Sequence, residues 1–264
     1  QQPQRLSAFI DQTIALHPSI RAAERGLEKA RALARAAGQY PYNPEIELGY
    51  EESAEKTKEF GFSQTIDVWG RTGAAEAQAT AEIEVAAATF SLIKTELLES
   101  LLRGLGANRE QVSLLELAEK RLNLSTRYLR LTRKFESAGD IGTADVLTAE
   151  VGKSNAELQV AAATARVATA QKELISLVGE QRAVWPEPTE IANIALVGFD
   201  PDIEKTPEME ITRATLQASK AGIVVAEKQW LPDPTFGVRI GKDGEENLFG
   251  ASLSFPIPVW NRGA

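Results

Sequence analysis

The sequence predicts a mainly α protein with β-hairpins, in which long antiparallel helices alternate with two short pairs of strands. Three observations predict this fold: an internal repeat, two pairs of segments where apolar and polar residues alternate, and a very long helical stretch without an interior proline. The 264 residues are 43% hydrophobic and 25% charged, which is the composition of a folded protein.

The repeat consists of a helix that ends in a proline-rich break. Residues 17–44 read HPSIRAAERGLEKARALARAAGQYPYNP, and residues 206–234 read TPEMEITRATLQASKAGIVVAEKQWLPDP. Both copies place a proline near the helix start and prolines after the helix end, where they are tolerated. We therefore predict a first helix over residues 5–38 and a second over residues 207–231.

Each break is followed by two alternating segments, which predict β-hairpins over residues 44–69 and 234–256. The connections EESAEKTK and GKDGEEN are polar and charged, so both hairpin tips should be solvated. Taken alone, the pattern is typical of an ordinary half-buried sheet, but the opposite face is markedly polar. The alternating apolar residues are Ile46, Leu48, Tyr50, Phe60, Phe62, Ile66, Val68, Phe236, Val238, Ile240, Phe249, Leu253 and Phe255.

Between the two hairpins the sequence predicts a long helical hairpin over residues 72–178, with its tip at 138–145. The outgoing helix would measure on the order of 100 Å, and the returning helix only about half of that. Gly139 should serve as a left-handed helix cap, Thr143 as the next N-cap, and Asp145 should lie in the first turn. Residues 179–206 are predicted to form a loop segment, and residues 257–264 to begin a further hairpin.

Composition excludes several functions. A net charge of −8 and a pI near 5.0 argue against nucleic acid as a partner, and without cysteine there is no thiolate metal site. No catalytic set or cofactor-binding motif is present, so we predict that the protein is not an enzyme and has no cofactor and no metal site. Asp140 and Asp145 are better explained as capping residues than as cation ligands, and His17 as a capping or solvated residue. The basic run KRLNLSTRYLRLTRKFE is most simply a solvated helix face with i to i+4 ion pairs.

In their order and spacing, four stretches of the chain resemble the TolC family of outer-membrane efflux proteins. They are HPSIRAAERGLEKARA with its Asn43–Pro44 end, the hairpin that ends in VWGR, the turn YLRLTRKFESAGDIGTADVLTAEVGKSNAEL, and the repeat from LPDP to FPIPVWNRGA. The resemblance implies a TolC-like fold, in which long antiparallel helices form part of a periplasmic α-barrel and the two β-hairpins belong to a trimeric, twelve-stranded outer-membrane β-barrel. It also implies that the 264 residues are one incomplete protomer, which lacks a second long helical hairpin.

The resemblance assigns roles to three groups of residues. The alternating apolar residues of the strands would face lipid. Trp69, Arg71, Trp260 and Arg262 would lie at the membrane interface. The helical tip would dock a periplasmic adaptor protein through Gly139, Asp140, Ile141, Gly142, Thr143, Asp145 and Leu147.

The function that this family implies is passive export through an exit duct. The duct would be a homotrimer in the Gram-negative outer membrane and extend into the periplasm, with an adaptor (membrane fusion) protein and an inner-membrane resistance-nodulation-division pump as partners. FPIPVWNRG resembles the cobalt-zinc-cadmium branch, which implies export of heavy-metal cations. Two alternatives stay open: a duct for drugs or other small molecules, and a periplasmic coiled-coil adaptor or scaffold that conducts nothing.

Overall fold

A computed structural model describes residues 6–52, 56–182, 184–187 and 206–257. Within these ranges the chain forms five helices and one four-stranded sheet. The structure divides into two compact units, one of residues 1–21 and 93–201, the other of residues 22–92 and 202–264. The elements are α1 (Leu6–Leu16), α2 (Pro18–Ala37), β1 (Glu45–Glu52), β2 (Lys56–Thr65), α3 (Arg71–Ala138), α4 (Thr143–Val178), α5 (Pro207–Gln229), β3 (Thr235–Asp243) and β4 (Glu246–Ser254).

The helix predicted over residues 5–38 is wrong as a single element, because the chain breaks at His17 into α1 and α2. Pro18 explains the break: it lacks an N–H group, and its ring disfavours helical geometry at the residue before it. Nδ1 of His17 accepts a hydrogen bond from the backbone N–H of Ser19 at 3.3 Å. His17 therefore caps the start of α2.

In the first unit, the core lies along the facing sides of α3 and α4. Leu101, Leu105 and Leu174 are almost fully buried, and Gly104 lets Leu174 approach α3 closely. Alanine dominates the buried side of α4, which permits close helix packing. At the start of this unit, the ring of Phe9 in α1 packs edge-on against Trp185, with the guanidinium of Arg182 4.8 Å from its centre.

The second unit contains the sheet, whose strand order is β1-β2-β3-β4 with every pair antiparallel. The two hairpins, although far apart in sequence, therefore join into one sheet through β2 and β3. This mainly helical fold with a small antiparallel sheet confirms the predicted fold class. Among the described helices, none combines the length and the apolar character that crossing a membrane requires.

The loop segment predicted over residues 179–206 is described only in part. Gly179 ends α4 in the left-handed conformation with φ 77°, and its N–H donates to the carbonyl of Ile175. Residues 183 and 188–205 lie outside the described residues, as do 258–264 at the predicted start of a further hairpin.

Candidate functional site

One face of the four-stranded sheet carries apolar side chains in register. Ile46, Phe62, Val238 and Ala251 lie side by side across the four strands, and the next row consists of Leu48, Phe60, Ile240 and Phe249. Leu48 is 79% exposed and Phe249 is 77% exposed. Soluble proteins rarely expose a contiguous apolar surface of this kind to water.

The apolar rows end toward the hairpin tips at a row that holds Tyr50, Lys58 and Lys242. Lysine stems can lie along apolar surface while their ammonium groups reach water. This row therefore bounds the apolar surface on the side of the hairpin tips.

The opposite face of the same strands is polar and largely acidic. It carries Glu45, Glu47 and Glu59, while the guanidinium of Arg239 lies 3.9 Å from the Glu59 carboxylate. Glycine leaves room for these long side chains, since a Cβ at position 61 would come within 3.2 Å of the Glu47 side chain and 3.4 Å of the Arg239 side chain. The two faces of the sheet are thus suited to different solvents.

Three of the apolar residues predicted for the strands lie outside them. Ile66 and Val68 follow the end of β2 at Thr65, and Phe255 follows the end of β4 at Ser254. The backbone N–H of Ile66 still donates to the carbonyl of Pro234 at 2.9 Å. The ladder stops there because Pro234 precedes β3 and has no N–H group to donate in return.

Asp67 caps the start of α3, directly after the sheet. Its carboxylate oxygens accept hydrogen bonds from the backbone N–H groups of Arg71 and Thr72, each at 2.8 Å. Burial raises the pKa of this carboxyl, but the hydrogen bonds to it, chiefly from the backbone N–H groups of Thr72 and Arg71, together outweigh burial and bring the net pKa below its ordinary value. Sequence reasoning missed this capping role, because Asp67 lies four residues before Arg71 and not at the N-cap position directly before the helix.

Arg71 caps the end of the other helix at this junction, α5. Its guanidinium donates to the carbonyls of Lys228 at 3.1 Å, Gln229 at 2.8 Å and Leu231. Carbonyls at a helix C-terminus have no partner within the helix, and a cation there is favoured by the helix dipole. The sequence indicated Arg71 as a membrane-interface residue. In the structure its guanidinium lies against the carbonyls at the end of α5.

The same guanidinium lies 3.4 Å from the carboxylate of Asp233, whose side chain is almost fully buried. The hydroxyl of Tyr42 donates to Asp233 at 2.7 Å, and this hydrogen bond, helped by burial, raises the pKa of Tyr42. Sequence reasoning missed both residues. They stand in the proline-rich breaks YPYNP and LPDP, where the prolines alone were interpreted.

Trp69 lies beside this junction, half-exposed, and its indole N–H donates to the carbonyl of Pro232 at 2.9 Å. Trp230 follows the end of α5 and is 49% exposed. Both indole rings therefore present apolar surface beside the junction, and Trp69 does so with its N–H engaged. The corresponding residues predicted in the second repeat, Trp260 and Arg262, lie outside the described residues.

The tip between α3 and α4 is a capped turn. Gly139 adopts φ 84°, as predicted for a left-handed cap. The Asp145 carboxylate accepts the backbone N–H of Gly142 at 3.2 Å, so it caps the start of α4. The helix N-cap is Gly142 rather than Thr143, which begins α4 instead.

Beneath the tip, Leu129, Val146 and Ala149 form a small buried cluster that holds the two helices together. Leu147 projects outward and is 56% exposed. Asp140, Gly142 and Thr143 are exposed, and Ile141 is half-buried. The turn therefore combines a rigid base with an accessible end. Among the described residues there is no group of three or more acidic or histidine side chains placed to hold a metal ion.

Comparison with known proteins connects these features. Residues 9–180 match the family model described as outer membrane efflux protein. The cobalt-zinc-cadmium resistance protein CzcC of Cupriavidus metallidurans is 23% identical over 231 residues, which cover 83% of this chain and 55% of that protein. The chain thus spans about half the length of this curated relative.

Solved structures share the fold. The outer membrane protein VceC from Vibrio cholerae superposes with a TM-score of 0.71 at 19% identity, over 98% of this chain and 70% of that one. A structure of CusC, whose description concerns transmembrane channel formation, superposes with a TM-score of 0.71 at 16% identity, over 99% of this chain and 68% of that one. The outer-membrane channel OprN superposes with a TM-score of 0.70 at 16% identity, over 98% of this chain and 65% of that one.

Proposed function

Because this chain belongs to the outer membrane efflux protein family, we propose that it forms part of the outer-membrane exit duct of a tripartite efflux system. The observation that carries the proposal is the sheet, with its exposed apolar face and its acidic opposite face. The apolar face would contact lipid and the polar face would line a water-filled lumen. The helices would extend into the periplasm.

The sheet has two edge strands, β1 and β4, which pair on one side only. In lipid an edge would leave backbone groups without hydrogen-bond partners, at a cost of several kcal/mol per group. Joining β1 of one copy to β4 of the next removes both edges. We propose that three copies close a sheet of twelve strands in this way, as the sequence resemblance implies.

For the exported solute we propose heavy-metal cations. Two observations support them over drugs: similarity to a protein named for cobalt, zinc and cadmium resistance, and a sheet face on which acidic residues outnumber basic ones. Carboxylates raise the local concentration of cations near a pore wall. The duct would receive its solute from an inner-membrane pump through a periplasmic adaptor.

Two measurements test this function. The full-length protein, reconstituted into planar bilayers, should give stepwise ion conductance. Deleting its gene should lower tolerance to zinc, cobalt and cadmium, while tolerance to hydrophobic drugs stays unchanged. Loss of drug tolerance alone would identify a drug duct, and a full-length protein that neither conducts nor fractionates with the outer membrane would favour the adaptor or scaffold class.

We further propose that the tip, residues 139–147, docks the adaptor. Gly142→Arg places a long cation at the exposed end of the hairpin. A Cβ at this position would lie 4.0 Å from a carboxylate oxygen of Asp145, which is an ordinary contact distance. We expect efflux to fall while the trimer still assembles. The matched control is Gly26→Arg on α2, another exposed position where a Cβ has open space around it. If Gly142→Arg and Gly26→Arg leave efflux equally unaffected, the tip does not dock a partner.

A further inference from the structure

Arg239 on β3 is the one basic residue on the polar face of the sheet among the described strand residues. Strand alternation and pairing place its side chain on the same face as Glu47 and Glu59. The lysines of the strands belong by the same alternation to the apolar face; they are Lys56, Lys58 and Lys242. A single cation therefore stands on a face whose other charged residues are acidic.

Glycine occupies the four positions that surround Arg239 on this face. Gly61 and Gly250 lie opposite it on β2 and β4, and Gly237 and Gly241 lie two residues before and after it on β3. None of these positions supplies a side chain that could cover the guanidinium. The Arg239 side chain is accordingly 49% exposed, although β3 is an inner strand of the sheet.

The guanidinium of Arg239 has one weak contact within the described part of the chain. Its Nη1 lies 3.9 Å from the carboxylate of Glu59, which is too long for a hydrogen bond. At this distance and exposure an ion pair adds little to stability. The contrast is Arg71, whose guanidinium is bonded to three carbonyls at the junction. The N–H donors of Arg239 are therefore free to act on solutes above the face.

The polar face changes in character along the strands, and Arg239 lies at the change. Toward the helices the face carries mostly hydroxyl groups, from Ser63, Thr65, Thr235, Ser252 and Ser254. Toward the hairpin tips it carries carboxylates, which we call the acidic end of the face: Glu51, Glu59, Asp243 and Glu246. A solute that moves along the face from the helices to the tips passes the cation before it reaches the acidic end.

We propose that Arg239 is a selectivity residue of the duct, which holds a fixed positive charge in the lumen. The inference rests on the proposed function, in which the polar face lines a water-filled lumen. In a trimer the three copies of Arg239 form a ring at one level, and rings of charged side chains select ions in pores. The ring opposes cations and attracts anions, whereas the acidic end does the reverse.

This ring limits the preference of the lumen for cations without reversing it, because acidic residues outnumber Arg239 on the same face. Conduction requires that an ion is attracted strongly enough to enter and weakly enough to leave. A lumen lined by carboxylates alone would retain divalent cations. A guanidinium beside Glu59 lowers that retention by repulsion.

The test measures the reversal potential of the purified full-length protein in planar bilayers under a gradient of potassium chloride. The reversal potential gives the ratio of cation to anion permeability. Arg239→Gln removes the charge and keeps a long polar side chain, and Arg239→Lys keeps the charge. The matched control is Lys58→Gln, which changes the net charge equally but at an exposed position on the apolar face.

We expect Arg239→Gln to raise the ratio of cation to anion permeability about threefold near 0.1 M salt, because three positive charges leave one level of the lumen. Higher salt should reduce this change, since mobile ions screen fixed charges. Arg239→Lys and Lys58→Gln should keep the wild-type ratio, and Glu59→Gln should lower it. Circular dichroism verifies that the variants stay folded.

Thiol chemistry gives a second measurement at the same position. The 264 residues contain no cysteine, so Arg239→Cys in a cysteine-free full-length background provides a single thiol in the lumen. A positively charged thiol reagent should restore the wild-type permeability ratio, and a negatively charged reagent should raise the ratio above that of the unmodified variant. The same reagents on Lys58→Cys should leave the ratio unchanged.

An unchanged permeability ratio in Arg239→Gln would overturn the proposal, and so would an equal change in Lys58→Gln. An Arg239→Cys protein whose ratio responds to neither reagent would also overturn it. Conductance separates the two levels of inference. A wild-type protein that conducts while these variants fail loses the selectivity ring and keeps the duct, whereas a wild-type protein that does not conduct contradicts the proposed function and this inference together.

Discussion

Replacing Arg71 tests the junction between sheet and helices most directly. Arg71→Met keeps much of the side-chain volume but removes the donors to the carbonyls of Lys228, Gln229 and Leu231. It also leaves the carboxylate of Asp233, which is only 2% exposed, without its counter-charge. One remaining hydrogen bond, from Tyr42, does not neutralise that charge.

The magnitude follows from these contacts. Removing one partner of a buried ion pair costs about 3 to 5 kcal/mol, and hydrogen bonds from a charged donor contribute about 1.5 to 3 kcal/mol each. Because the Arg71 side chain is 28% exposed, water can replace part of these contacts. We therefore expect Arg71→Met to lower the free energy of unfolding by about 3 kcal/mol, near the lower limit of these values.

Urea unfolding followed by tryptophan fluorescence is a suitable assay, because Trp69 bonds to Pro232 next to the network. With an m-value of about 2 kcal/mol per molar urea, the midpoint should fall by roughly 1.5 M. Arg213→Met on an exposed position of α5 is the matched control and should change stability by less than about 0.5 kcal/mol.

A second substitution separates the ion pair from the helix cap. Asp233→Asn removes the buried charge, so adding it to Arg71→Met should recover about 1 to 2 kcal/mol of the loss. No recovery would show that Asp233 is not coupled to Arg71. An Arg71→Met protein as stable as the wild type would refute the whole account of the junction.

Three further predictions concern the same unit. Asp67→Ala should lower the free energy of unfolding by about 1 kcal/mol, the usual value for a side chain that caps a helix N-terminus. The pKa of Asp67 is lowered in the folded state. Its contribution to stability is therefore present above about pH 4 and is lost as the pH falls through the folded pKa. The pKa of Tyr42 is raised in the folded state, so its contribution to stability is complete below about pH 10 and is lost as the pH rises through the folded pKa. Tyr42→Phe should therefore remove this alkaline loss of stability. Urea unfolding at a series of pH values would detect the difference. Gly241→Ala should reduce the yield of folded sheet measured by circular dichroism, because a Cβ there would overlap the carbonyl oxygen of Lys58, whereas Gly250→Ala, which has open space around it, should not.

The sequence was sufficient for local features of the fold. The period of two in PEIELGY and PTFGVRI predicted strands, and glycine at 139 predicted a left-handed cap that the structure confirms. These features depend on backbone preferences within a few residues. The alternation alone did not locate strand ends, however: Ile66 and Val68 continue the pattern although the ladder has ended opposite Pro234.

The alternation of apolar and polar residues could not predict which strands pair with each other. Period two predicts that β2 and β3 exist but does not indicate that Phe62 lies opposite Val238. The junction shows the same limit, since Tyr42 and Asp233 are 191 residues apart and meet only because the sheet brings the two breaks together. Arg71 was identified from the sequence, but its partners were not, because any exposed arginine near a tryptophan has the same local pattern.

The charges at the junction follow from the direction of the chain. The chain leaves β2 to begin α3, and it finishes α5 before entering β3, so a helix N-terminus and a helix C-terminus lie next to the paired strands. A helix N-terminus carries a partial positive charge and a C-terminus a partial negative one. Asp67 binds the first and Arg71 binds the second, which is the arrangement that both dipoles favour. Because both capping residues belong to one short segment, 67–71, the same turn fixes the start of α3 and the end of α5, and thereby holds β2 and β3 together where the apolar face begins.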